Sequence, residues 1–376
     1  MGDVRKGSSI LYDQAVDVVI HIGAPKTGSS AIQRFSMKNR KALLEMGFYY
    51  PKHVVDANGV SGGHSILANL LVRKSPRLAR FYFRYHLLKA RLLKKTLLLS
   101  SEGFCRNAKR FEPLLEGLEV RVVGWFRHPI EAFISNYNQS VKRHFCTQTL
   151  GQVFDTMATK SNPPNLSGKR LSRWANLVGD TRCTFFPYLK PSCGREERSI
   201  EERWLEAIGV RPEDFARFHF DAKRVNRSYV PDALELKRLL NVVLVENKRI
   251  DSHAIDRALQ NYSDRADGEE VELGIHLAPE QVARLSRAFE RANQRLVKRF
   301  PVMKPLLDKD EIYRRQAKAT TQQSLDLSVV LAHLERLCPS EMEQVRVSVR
   351  QRLRNGENEP PELEDLADWL NVDGDA

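Results

Sequence analysis

The sequence predicts an α/β fold in three layers: a central parallel sheet with helices on both faces. Three observations carry this. Short apolar runs at 16–22, 97–100, 120–126 and 181–188 read as buried strands. Stretches with helical apolar spacing separate them. Two of the runs end in segments built of glycine, proline, hydroxyl and basic residues, at the strand ends where such sheets bind ligands.

Residues 1–14 read as a loose lead-in, and the first strand, 16–22, runs into Gly23-Ala24-Pro25-Lys26-Thr27-Gly28-Ser29-Ser30. Ile32, Phe35, Leu43 and Met46 then recur at helical spacing, and Gly47 is placed to end that helix before an extended segment reaching Tyr50. Strand, glycine turn, hydroxyls and helix in this order predict a P-loop-like phosphate-binding turn. Its backbone N–H groups and the helix N-terminus converge on one spot, and Lys26 adds a positive charge. It is not a nucleoside-triphosphatase loop: Gly23 and Gly28 have the right separation, but Ser29 stands where lysine is required. The plainer alternative is a turn that merely joins strand to helix.

Ser61-Gly62-Gly63-His64 marks a turn before a helical stretch. From Arg73 to Lys95, nine Lys or Arg and no acid are interleaved with Leu78, Phe81, Tyr85, Leu88 and Leu92. Such a basic amphipathic helix suits peripheral membrane contact or a polyanion, and equally a core helix with solvated charges. The strand 97–100 leads into Ser100-Ser101-Glu102-Gly103-Phe104, and the strand 120–126 into Arg127-His128-Pro129, with Ser135 and Tyr137 further on. Arginine presents a rigid fork of donors to phosphate, and Pro129 suits the first turn of a helix.

These two segments resemble motifs of sulfotransferases that use 3′-phosphoadenosine 5′-phosphosulfate (PAPS). Residues 25–30 are similar to the loop that holds the 5′-phosphosulfate, and 127–137 to the motif that holds the 3′-phosphate. The resemblance covers about residues 15–300 and follows the family's order. It implies sulfuryl transfer from PAPS to a hydroxyl of a carbohydrate or glycolipid acceptor, with no metal. In that reading Lys26, Thr27, Gly28, Ser29 and Ser30 hold the sulfated phosphate, and Lys26 also acts in catalysis. Arg127 and Ser135 hold the 3′-phosphate, Tyr188 contacts adenine, and Arg227, with Arg224, also reaches the 3′-phosphate. That last region departs from the glycine-rich element of the enzymes that sulfate small phenols. Glu102, at a predicted strand end, is the candidate base; His64 is its rival. A helix-start carboxylate is the alternative for Glu102.

Helical spacing over 282–300 resembles the helix that closes bacterial members. Beyond a sulfotransferase domain at 15–300, a C-terminal helical extension spans 301–354, with helices at 322–337 and 340–354 split by Pro339. An acidic tail, 355–376, holds eight acids, no Lys or Arg, and a stripe of Leu363, Leu366 and Leu370. The net charge of +13 favours anionic partners. No nucleic-acid partner is expected. Five scattered cysteines suggest neither a disulfide framework nor a metal site. No apolar run approaches a membrane span and the N-terminus lacks a signal-peptide core, so a cytoplasmic location is expected. The competing functions are a nucleotide-dependent phosphotransferase and a non-catalytic polyanion- or membrane-binding protein.

Overall fold

A computed structural model describes residues 16–54, 62–73, 75–158, 167–189, 198–221, 228–265, 277–308, 325–356 and 359–373. The chain forms two compact units. The first comprises Met1–Pro129, Leu166–Lys223 and Ala288–Lys309, and the second Ile130–Asn165, Arg224–Arg287 and Asp310–Ala376. Both are discontinuous in sequence. Residues from 310 onward fall in the second unit, with 130–165 and 224–287.

The first unit is built on a five-stranded, wholly parallel sheet. Its strands are β1 (Val18–His21), β2 (Phe48–Tyr49), β3 (Thr96–Ser100), β4 (Val120–Arg127) and β5 (Cys183–Tyr188), in the order β2-β3-β1-β4-β5. Side-chain alternation explains the layers. Val18, Ile20, Leu97, Leu99, Val120 and Val122 face one way, into a core shared with Leu67, Phe83, Phe111 and Trp174. Those partners come from the helices Ser65–Val72, Pro76–Leu92, Ala108–Leu115 and Lys169–Val178. Val19, Leu98, Val123 and Trp125 face the other way, against Ile32, Phe35, Trp204 and Leu205 from the helices Ser29–Lys38 and Ile200–Ile208. Each fully buried aliphatic side chain contributes about 1.5–3 kcal/mol. Two-sided burial of this kind is why these strands read as unbroken apolar runs.

The chain leaves β1 toward β2 on one side and leaves β4 toward β5 on the other. The crevice outside the carboxyl ends of β1 and β4 is therefore the switch point of the sheet, the place where doubly wound sheets take ligands. Gly124 lets the strands pack closely here: a Cβ on it would lie 3.0 Å from Ile22 and 3.4 Å from Phe185.

Among its described residues the second unit is helical. The helix Pro231–Leu244 carries Lys237, fully buried and 3.1 Å from Asp256. The Tyr229 hydroxyl donates to the same carboxylate at 3.2 Å. Asn138 and Tyr229 exchange side-chain and backbone hydrogen bonds, and Asn241 donates to the Val141 carbonyl at 2.8 Å. Leu363, Leu366 and Leu370, on the helix Pro361–Leu370, are buried, so the leucine stripe of the acidic segment is core.

Candidate functional site

The turn after β1 is drawn tight. The Ile22 N–H continues the ladder to the Val123 carbonyl at 3.0 Å, and the Thr27 hydroxyl donates to the Ala24 carbonyl at 2.7 Å. Gly23 (φ 25°), Lys26 (φ 66°) and Gly28 (φ 77°) have positive φ. For Lys26 this left-handed backbone costs about 1–2 kcal/mol, so the fold holds a lysine where glycine is easier. Gly28 is the N-cap of the helix Ser29–Lys38, which has neither a side-chain cap nor an acid in its first turn. Its positive end is therefore uncompensated by its own side chains. Ser29 is buried and Ser30 exposed.

Arg127 is the last residue of β4 and pairs in register with Tyr188, the last of β5. Its guanidinium lies 5.3 Å from the centre of the Tyr188 ring, and its Nη1 donates to the Lys26 carbonyl at 3.1 Å. A Cβ on Gly28 would fall 2.5 Å from Ile200 and 3.4 Å from Tyr188. The structure thus brings Lys26, Gly28, Arg127 and Tyr188 together around one strand-end crevice.

At the end of β3, the Ser101 hydroxyl accepts from the Gly103 N–H at 3.3 Å and opens a short 3-10 turn beginning at Glu102. The Glu102 side chain remains open to solvent while its carboxyl is crowded by protein. That crowding raises the carboxyl above its ordinary range, and the nearby charge of Lys26 pulls it back down.

Beneath these residues lies a buried polar layer. His64 is fully buried and its imidazole is filled by backbone. Its Nδ1 accepts from the Ser100 N–H at 2.9 Å, and its Nε2 lies 3.2 Å from the Pro51 carbonyl. Burial pushes it down to about 3, so it is neutral at physiological pH. Gly63 (φ 61°) permits this packing: a Cβ there would sit 2.1 Å from the Ser100 carbonyl oxygen. His21, also lowered to about 3 by burial, shares a 2.8 Å hydrogen bond between its Nδ1 and the Ser100 hydroxyl. Trp125 and Trp204 flank its ring, each with centroids 5.4 Å away. The buried atoms His21 Nε2, Ser29 Oγ, Gln33 Nε2 and Gln33 Oε1 have no hydrogen-bond partner among the described residues. Buried polar groups of this kind are ordinarily satisfied by water or ligand.

Ser135 is half-buried on the helix Pro129–His144, in the second unit. Arg224 and Arg227 lie outside the described residues. Sequence reasoning missed Gln33 and the part Ser100 plays. The available signal was a polar stripe at helical spacing, Ser29, Gln33 and Ser36, on a helix whose Ile32 and Phe35 are core. Ser36 in fact accepts from the Trp204 indole N–H at 3.2 Å.

Among the described residues, no cluster of His, Cys, Asp or Glu is arranged to hold a metal ion, and no helix is long and apolar enough to cross a membrane. Comparison with family models, curated proteins and solved structures yields no match. The class defined by fold and site is thus a doubly wound parallel α/β protein with a cationic strand-end crevice.

Proposed function

We propose that the protein is a sulfotransferase, moving a sulfuryl group from PAPS to a hydroxyl of a carbohydrate or glycolipid. One observation carries the reading: Lys26 and Arg127, each in a segment that resembles one of the family's phosphate motifs and a hundred residues apart in the chain, meet at the switch point, with Arg127 donating to the Lys26 carbonyl. The orphaned Ser29 hydroxyl and the uncapped helix start at Gly28 fit a site that takes an anion.

PAPS supplies an activated sulfuryl group and departs as 3′,5′-adenosine bisphosphate. Lys26 and the N–H groups of Thr27 to Ser30 stabilise the charge that grows on the departing phosphate oxygen. Arg127 holds the 3′-phosphate through its guanidinium, with Tyr188 beside it for the adenine. Glu102 takes the proton of the acceptor hydroxyl. It is open to solvent, and its raised carboxyl is the better proton acceptor for it. His64 is the weaker choice, since both its nitrogens face backbone groups.

A thermal-shift comparison tests this against phosphotransfer. The proposal predicts stabilisation by 3′,5′-adenosine bisphosphate and PAPS, and little by ATP with Mg²⁺. The opposite order would assign the crevice to a nucleoside triphosphate, and no response to any of the three would remove the nucleotide from the account.

A further inference from the structure

The helix Pro76–Leu92 is apolar on two opposite faces. Ala79, Phe83, Leu87 and Ala90 are buried in the core of the first unit. On the other side Leu78, Phe81, Tyr85, Leu88 and Leu92 are 58, 73, 54, 60 and 76 % exposed. At about 100° per residue these five fall within roughly 80° of arc and run the length of the helix. Single exposed apolar residues are ordinary; a continuous stripe of five large ones is not.

Charge borders the stripe. Arg77, Arg84 and Arg91 follow one edge at seven-residue spacing, with Arg80 behind them, and Lys89 lies on the other edge. All five are exposed. No acid occurs anywhere from 73 to 95, and the exposed Arg91 pairs with Asp17 at 2.9 Å. The shallow recess on this face is lined by Arg77, Arg80, Phe81, Arg84, Tyr85 and Leu88, all from the one helix. Among the described residues, no second element supplies the opposing wall that would make a groove for a peptide helix.

We propose that this face seats the protein on an anionic lipid surface. A single helix with an apolar stripe, central aromatics and arginine margins lies in the headgroup region with its stripe against the acyl boundary. The long basic side chains reach outward to lipid phosphates. A second copy is disfavoured as occupant, because stripe-to-stripe pairing would set two arginine margins side by side. The inference is independent of the sulfuryl-transfer reading.

Co-sedimentation with sucrose-loaded vesicles, using the full chain, tests it. The protein binds vesicles containing phosphatidylglycerol and not pure phosphatidylcholine, and binding weakens as salt rises. The F81S/L88S variant lowers partitioning more than about tenfold. Each of R77Q, R80Q and R84Q lowers it by about fivefold. In F81W, indole emission shifts to the blue on binding, and lipids brominated in the acyl chain quench it. This readout does not depend on the doubly substituted protein keeping its fold. Failure to bind anionic vesicles, binding untouched by F81S/L88S, or F81W emission unquenched in the bound state would overturn the proposal. So would a dimer in sedimentation velocity that F81S/L88S converts to monomer, which would make the occupant a second copy.

Discussion

Acid should loosen the floor of the crevice before it affects the crevice itself. His21 and His64 are fully buried, and burial lowers both from an ordinary value of 6.5 to about 3. Above pH 6.5 the imidazoles are neutral in both folded and unfolded chains, and their contribution to stability is fully present. Below it the unfolded chain takes up protons that the folded chain refuses, so stability falls as pH drops toward about 3. Between pH 7.5 and pH 5 each histidine spans about 1.5 units, worth about 2 kcal/mol, or about 4 kcal/mol for the pair. Both rings touch Ser100, so the sum is not strictly additive. Against a typical domain stability of about 5–15 kcal/mol this loss is large. Urea unfolding followed by tryptophan fluorescence is the assay, and Trp125 and Trp204 lie against His21 to report it. H64Q should lower stability at pH 7.5 yet shrink the pH 7.5-to-5 difference by about 2 kcal/mol. A wild-type difference near zero, or an equal difference in H64Q, would refute the reasoning.

Three further outcomes are expected. E102Q lowers turnover by about 10²–10⁴-fold with nucleotide affinity retained; because the Glu102 carboxyl is raised and must be ionised to accept a proton, the rising limb of wild-type kcat/KM lies above the pH at which a free glutamate titrates. Unchanged turnover in E102Q would remove it as the base. G28A costs about 1–2 kcal/mol in urea unfolding from its left-handed φ, and the new methyl displaces Ile200. D256N leaves Lys237 as an uncompensated buried charge and costs about 3–5 kcal/mol, whereas K237M is far milder; equal losses in the two would place the effect in packing rather than charge.

Much of the first unit was legible in the sequence because burial on both sheet faces writes each strand as a continuous apolar run. The strands expected at 97–100 and 120–126 occur as Thr96–Ser100 and Val120–Arg127. The short strand Phe48–Tyr49 was visible only as an extended segment, since two residues carry no periodicity. The helix expected over 282–300 occurs as Pro279–Arg299, and Pro339 opens the helix Pro339–Asn355 rather than merely separating two. The discontinuous units were not legible, because apolar spacing is a local signal and cannot say which helices share a core. For the basic helix, one face is core while the opposite face stays bare, which spacing alone does not distinguish from a single broad stripe.

At the site, the glycine turn and the strand-end arginine announced themselves through residue type and order. Their meeting at one crevice follows from β1 lying beside β4, a long-range pairing. The difference between Glu102 and His64 was hidden for the same reason. Only the fold reveals that the Ser100 N–H and the Pro51 carbonyl occupy His64, while the Glu102 side chain stays open beside Lys26.

Titration calorimetry with 3′,5′-adenosine bisphosphate tests the account most directly. The wild-type protein should bind, and K26A and R127A should each weaken binding by at least about tenfold, the loss of one charge-assisted contact to phosphate. Wild-type protein that does not bind, or affinity unchanged in both variants, would contradict it.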